Sequence, residues 1–113
     1  MNVESVKETI MRYFGCLNML SFQVKSEFES LQEICQDSSA QDEYTIGKLK
    51  LLHFQSLRER SKLLYKQYVS LQNMVIKMNT QDEKLTSHLD LAIRSSFIMY
   101  QELKRITPKD DYF

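Results

Sequence analysis

The sequence predicts an all-α protein: a long antiparallel helical hairpin or three-helix coiled-coil bundle, completed by oligomerisation or by a helical partner. Three observations predict it. Among 113 residues there are only two glycines and one proline, too few turn formers for a sheet fold. Apolar residues recur in steps of three and four along most of the chain. Leu, Lys, Glu, Gln and Met, all strong helix formers, are abundant. The length suits one domain with its own core, spanning residues 1–107 and followed by a short tail, 108–113.

The first helix is expected over residues 2–36. Val3, Ile10, Leu17, Val24 and Leu31 recur every seven residues, and Val6, Tyr13, Leu20, Glu27 and Ile34 follow three positions after each. That is a heptad seam with one polar member, Glu27. Phe14, Phe28 and Cys35 lie beside the seam and widen the apolar stripe. Asn2 is placed to cap the helix, and Glu4 puts an anion in its first turn. Gly15 falls opposite the seam, where it costs about 1 kcal/mol of helix propensity.

Residues 36–45, "QDSSAQDEYT", are the most loop-like stretch, with Ser39 and Asp42 resembling a cap and a first-turn acid. The heptad phase also changes across it. A second seam begins at Phe54 and continues through Leu57, Ser61, Leu64, Tyr68, Leu71, Val75 and Met78. A phase jump and cap chemistry at one place predict a turn, with a second helix over 43–79 antiparallel to the first.

A third apolar series, Leu85, Leu89, Ala92, Ser96, Met99, Leu103 and Ile106, keeps the phase of the second, with Asp82 as a hole. This leaves two readings. One continuous helix would make a rod of ~97 Å at 1.5 Å per residue. Alternatively the chain turns at 79–82. Thr80-x-x-Glu83 forms a capping box, and Lys77 is a last-turn cation for the helix before it. These caps favour the turn and a third helix over 81–107. Thr107-Pro108 ends it, because proline disfavours helical geometry in the preceding residue. The same dipeptide matches proline-directed phosphorylation, a pattern too short to assign. The tail "PKDDYF" is expected to fray, with Tyr112 and Phe113 left to dock on a neighbour.

More apolar residues are present than one seam per helix requires. Met11, Met19, Phe22, Leu49, Leu52, Leu63, Val69, Ile76, Ile93, Phe97 and Ile98 all lie off the seams. A broad core face buries some of them. The remainder predict a second face covered by another chain. The anchors expected at such an interface are Leu17, Leu64, Leu71, Leu89, Phe97 and Leu103. Glu27, folded back near Lys50 and His53 by the hairpin, is a candidate for fixing register and partner choice together with Lys50.

Fifteen basic and fifteen acidic residues cancel, so no overall charge draws the chain to nucleic acid or anionic lipid. The charges are nevertheless segregated, acids over residues 27–43 and bases over 48–66. Side by side in a hairpin they neutralise one another. The alternative makes Arg58, Arg60, Lys62 and Lys66 a phosphate-binding face, although Leu57 and Leu64 interleave with them.

Catalytic signatures are missing. His53 and His88 are isolated, with no HExxH or CxxC spacing, and Gly15 and Gly47 form no phosphate-cradling loop. No enzyme activity, cofactor, metal or small-molecule substrate is expected. Cys16 and Cys35 lie ~28 Å apart on one helix, too far for a disulfide. Two unpaired thiols suit a reducing compartment, cytoplasmic or nuclear. No apolar run reaches the roughly eighteen residues of a membrane span, and Arg12, Asn18 and Gln23 interrupt residues 10–24 as a secretory leader.

The sequence therefore reads as a non-enzymatic coiled-coil interaction or scaffold subunit of an intracellular assembly, acting through helix packing with itself or a protein partner. The alternatives are a nucleic-acid-associated protein using residues 58–66, or a membrane-peripheral protein laying "IMRYFGCLNMLSF" on lipid. Neither nucleic acid nor membrane is the expected partner.

Overall fold

A computed structural model describes residues 3–36, 43–78 and 82–107. The expected cap at Asn2, the turn signals Ser39 and Asp42, the Thr80 capping box and the tail 108–113 lie outside the described residues. The described residues form three helices: α1 (Val3–Gln36), α2 (Glu43–Lys77) and α3 (Glu83–Ile106). No strand occurs among the described residues. The bundle measures 60 × 27 × 21 Å, so the second and third apolar series do not form a ~97 Å rod.

The new helix starts at Asp82, the hole in the shared seam. Its backbone is extended (φ −98°, ψ 92°), and its carboxylate accepts the Leu85 N–H at 3.1 Å. Lys7 of α1 reaches the same carboxylate at 2.7 Å. The start of α3 is thus capped at Asp82, and α2 ends at Lys77 rather than 79. A carboxylate at a helix N-terminus satisfies a free N–H and faces the positive end of the dipole. At the other end Thr107 is extended (ψ 141°), as its following proline requires.

Two aromatic pairs fix how α1 lies on α2. Phe14 meets Tyr68 edge-on at 5.9 Å, and Phe28 meets Phe54 at 6.0 Å. The two contacts stand two heptads apart on each helix, as an antiparallel pairing in constant register demands. On the other flank of α2, Gln72 hydrogen-bonds Asp90, and one heptad earlier Tyr65 lies 5.3 Å from Phe97. Helix α2 therefore packs on both neighbours, whereas α1 and α3 barely touch each other.

The core comprises Ile10, Phe14, Leu17, Val24, Phe28 and Leu31 of α1, Leu57, Leu64, Tyr68, Leu71 and Val75 of α2, and Leu85, Leu89 and Leu103 of α3. Truncating any of the fully buried leucines, such as Leu57 or Leu89, to alanine is worth about 2–5 kcal/mol. In α2 and α3 the buried apolar positions follow the expected steps, except that Ile106, expected in the third series, is exposed. In α1 one line of the seam is corrected. Tyr13 and Leu20, three after Ile10 and Leu17, are exposed, while Phe14 and Phe28, four after Ile10 and Val24, are buried; Val6, three after Val3, stays half-buried against the core. A spacing of four belongs to the same face as a spacing of three. The choice between them falls to the flank where large rings meet Tyr68 and Phe54.

Candidate interaction surface

The corrected seam explains Glu27. It lies at the edge of the α1–α2 contact, half-exposed, and not in the core. Arg60 Nη1 donates to Glu27 Oε2 at 2.6 Å, and His53 Nε2 lies 3.2 Å from Oε1. The Arg60 hydrogen bond holds the Glu27 carboxyl below its ordinary value; burial works against this, and His53 assists. His53 is where the hairpin was expected to bring it, but the cation bonded to Glu27 is Arg60. Lys50 is half-exposed on the next turn of α2 from His53.

The same contacts spread the four bases of the candidate phosphate-binding face over different sides of α2. Arg60 faces α1 and binds Glu27. Arg58, only 8% exposed, faces α3 and donates to the Thr107 hydroxyl at 3.1 Å. Lys62 is half-exposed and Lys66 exposed, so the four bases do not share one open face. The Thr107 hydroxyl is buried too, donating to the Leu103 carbonyl at 2.7 Å while accepting from Arg58.

Of the six expected interface anchors, five belong to the chain's own core. Leu17, Leu64, Leu71, Leu89 and Leu103 are all buried by intramolecular packing. A heptad leucine reads the same whether its cover is its own bundle or another chain, which is why the sequence placed them at an interface. Phe97 alone is exposed, leaning on Tyr65.

The apolar surface lies elsewhere. Residues 11–22 of α1, "MRYFGCLNMLSF", carry a single charge, Arg12. Phe14 and Leu17 point into the core, yet Met11, Tyr13, Met19, Leu20 and Phe22 are exposed around the rest of the helix. Met19 and Phe22 retain 69% and 70% of their surface. A helix that is apolar on every side is normally buried on every side.

Grooves run along both flanks of this segment. On one side, the sparse contact between α1 and α3 opens a groove of about 380 Å³ over Phe14, Ser21, Tyr68, Ala92 and Ser95. Its rim bears Leu91, and Ile98 follows one heptad later, both exposed. Met11 and Phe22 lie seven before and four after Asn18, which also lines it. On the other side, a groove of about 390 Å³ between α1 and α2 is lined by Ile10, Tyr13, Leu71 and Met74. Tyr13 and Met74 are exposed along it. Leu91 and Met74 escaped the sequence reading. The heptad spacing from Leu91 to Ile98 was the signal for the first.

The Tyr68 hydroxyl on the floor of the first groove donates to Asn18 Oδ1 at 2.8 Å. Burial pushes its phenol up, and Ser21 opposes this. Among the described residues no group of three His, Cys, Asp or Glu side chains is placed to hold a metal ion. No helix among them is long and apolar enough to cross a membrane. No family model, curated protein or solved structure matches this chain.

Proposed function

We propose that the chain is a non-enzymatic helical interaction subunit whose docking element is residues 11–22 of α1. One observation carries this reading: that segment is apolar on the side facing the core and on the sides facing away from it. Exposed apolar area of this extent and continuity marks an interaction site. The flanking grooves offer an added helix places to insert its side chains between existing ridges. The partner is then another helical protein or a second copy, packed as in a coiled coil, in an intracellular assembly.

The experiment is sedimentation of the wild-type chain over a wide concentration range, alone and with candidate helical partners, beside Met19→Glu/Phe22→Glu. Both residues are exposed, so the double variant keeps its helicity and unfolding midpoint. Association in the wild type that the variant lacks supports the reading. A chain that stays monomeric, with partner binding indifferent to the two glutamates, removes it.

The exposed Met11, Met19 and Phe22 also suit a second reading, in which α1 rests on a lipid surface. Flotation with anionic vesicles that is lost in the same variant distinguishes lipid from protein as the cover.

A further inference from the structure

Helix α1 carries a second seam on its outer side. Arg12, Met19 and Ser26 recur every seven residues, and Gly15, Phe22 and Glu29 follow three positions after each. They stand two and five residues after Ile10, Leu17 and Val24, and so on the side of the helix away from that buried line. Ser26 is half-exposed and the other five are exposed. At the centre of the seam, Met19 and Phe22 are the two most exposed large apolar side chains among the described residues.

The order of residue types along this seam is its own complement when reversed. It runs cation, small, large apolar, large apolar, small, anion, from Arg12 to Glu29. Two α1 helices laid antiparallel about an axis between Met19 and Phe22 therefore match at every step. Met19 faces Phe22 of the second copy, Gly15 faces Ser26, and Arg12 faces Glu29. A twofold interface needs one patch that complements itself, a constraint that an unrelated partner does not impose.

We propose that this seam joins two copies of the chain through antiparallel α1 helices; this rests on the docking role given to residues 11–22. Charge fixes the direction. In a parallel pair Arg12 would face Arg12 and Glu29 would face Glu29, and like charges across an interface repel. Among the described residues neither Arg12 nor Glu29 makes an ion pair within the chain. Size fits as well. Gly15 has nothing within 4 Å of where a Cβ would stand, and Ser26 is small, so the backbones approach on either side of the Met19 and Phe22 contacts. Beyond Arg12 and Glu29 the same register sets Glu8 against Glu33, which ends the contact. The matched seam is ~26 Å long at 1.5 Å per residue. So short an interface makes a weak dimer, in exchange with monomer.

Sedimentation equilibrium of the full-length protein tests the register by charge reversal. Arg12→Glu and Glu29→Arg each act at both ends of a twofold pair, so each weakens dimerisation by about tenfold. The double variant Arg12→Glu/Glu29→Arg restores opposite charges and returns the wild-type dissociation constant. An equimolar mixture of the two single variants also dimerises, as the acids of one face the bases of the other. Helical content by circular dichroism stays at the wild-type level throughout, since both positions are exposed. Single reversals that weaken the dimer without rescue in the double variant overturn the proposal. A dimer lost with Met19→Glu/Phe22→Glu but untouched by either charge reversal also overturns it, and leaves the docking role of residues 11–22 standing. A wild-type chain that stays monomeric overturns it too; the docking role then survives only if a helical partner binds the wild type and not Met19→Glu/Phe22→Glu. A dimer indifferent to every one of these variants removes both.

Discussion

The guanidinium of Arg58 and the hydroxyl of Thr107 form a buried hydrogen bond, 3.1 Å long, that joins the middle of α2 to the residue capping the end of α3. They are 8% and 7% exposed, and Thr107 passes the bond on to the Leu103 carbonyl. Removing the acceptor with Thr107→Val leaves a buried charged donor one partner short. A loss of about 1–3 kcal/mol is expected in urea unfolding. Arg58→Ala and Thr107→Val together should cost less than the sum of the two, because each alone already breaks the bond.

Glu27 makes the fold sensitive to acid in a defined direction. Its folded pKa lies below the ordinary 4.5, chiefly through the Arg60 hydrogen bond. The carboxylate therefore contributes its full stabilisation above about that pH, and the contribution is lost as the pH falls through the lowered folded value. Glu27→Gln should destabilise at neutral pH by less than ~1 kcal/mol, since the pair is more than a third exposed. The gap between wild type and variant should close as unfolding is repeated at successively lower pH. A gap that widens in acid contradicts the assignment.

Asp82 has two roles that substitution separates. Asp82→Asn keeps a side-chain acceptor for the Leu85 N–H and loses the charge facing Lys7, whereas Asp82→Ala loses both. Thermal midpoints should fall in the order wild type, Asn, Ala, and added salt should narrow the first gap more than the second.

Ser61 is 1% exposed at the centre of α2, and its hydroxyl has no hydrogen-bond partner. Ser61→Ala removes a polar atom that is desolvated without compensation. The chemical-denaturation midpoint should stay level or rise, by up to ~1 kcal/mol in stability. A clear loss would mean that the hydroxyl is satisfied in solution.

Gly15 is exposed, lies within α1, and has nothing within 4 Å of where a Cβ would stand. Gly15→Ala should therefore stabilise by roughly 0.5–1 kcal/mol, through helix propensity and a less flexible unfolded chain. A raised thermal midpoint with unchanged oligomeric state is the expected reading.

The helical class, the three apolar series and the stop at Thr107-Pro108 were legible in the sequence by itself. Each rests on the periodicity of one helix or on a backbone preference of neighbouring residues. The turn at Asp82 was half legible. The Thr80-x-x-Glu83 box marked a cap beside it, but the unbroken heptad phase argued for a rod, and only the packing of α3 back on α2 separates the two. Three matters belonged to the tertiary structure alone. Steps of three and four share one helix face, so only the rings of Tyr68 and Phe54 choose Phe14 and Phe28 over Tyr13 and Leu20 for the core. Arg58 and Arg60, neighbours in a basic run, point to opposite helices once α2 lies between them, which ends their service as a common face. Finally, an apolar residue carries no mark of which surface covers it. Leu17, Leu64, Leu71, Leu89 and Leu103 read as an interface and lie in the core, whereas Met19 and Phe22 are exposed.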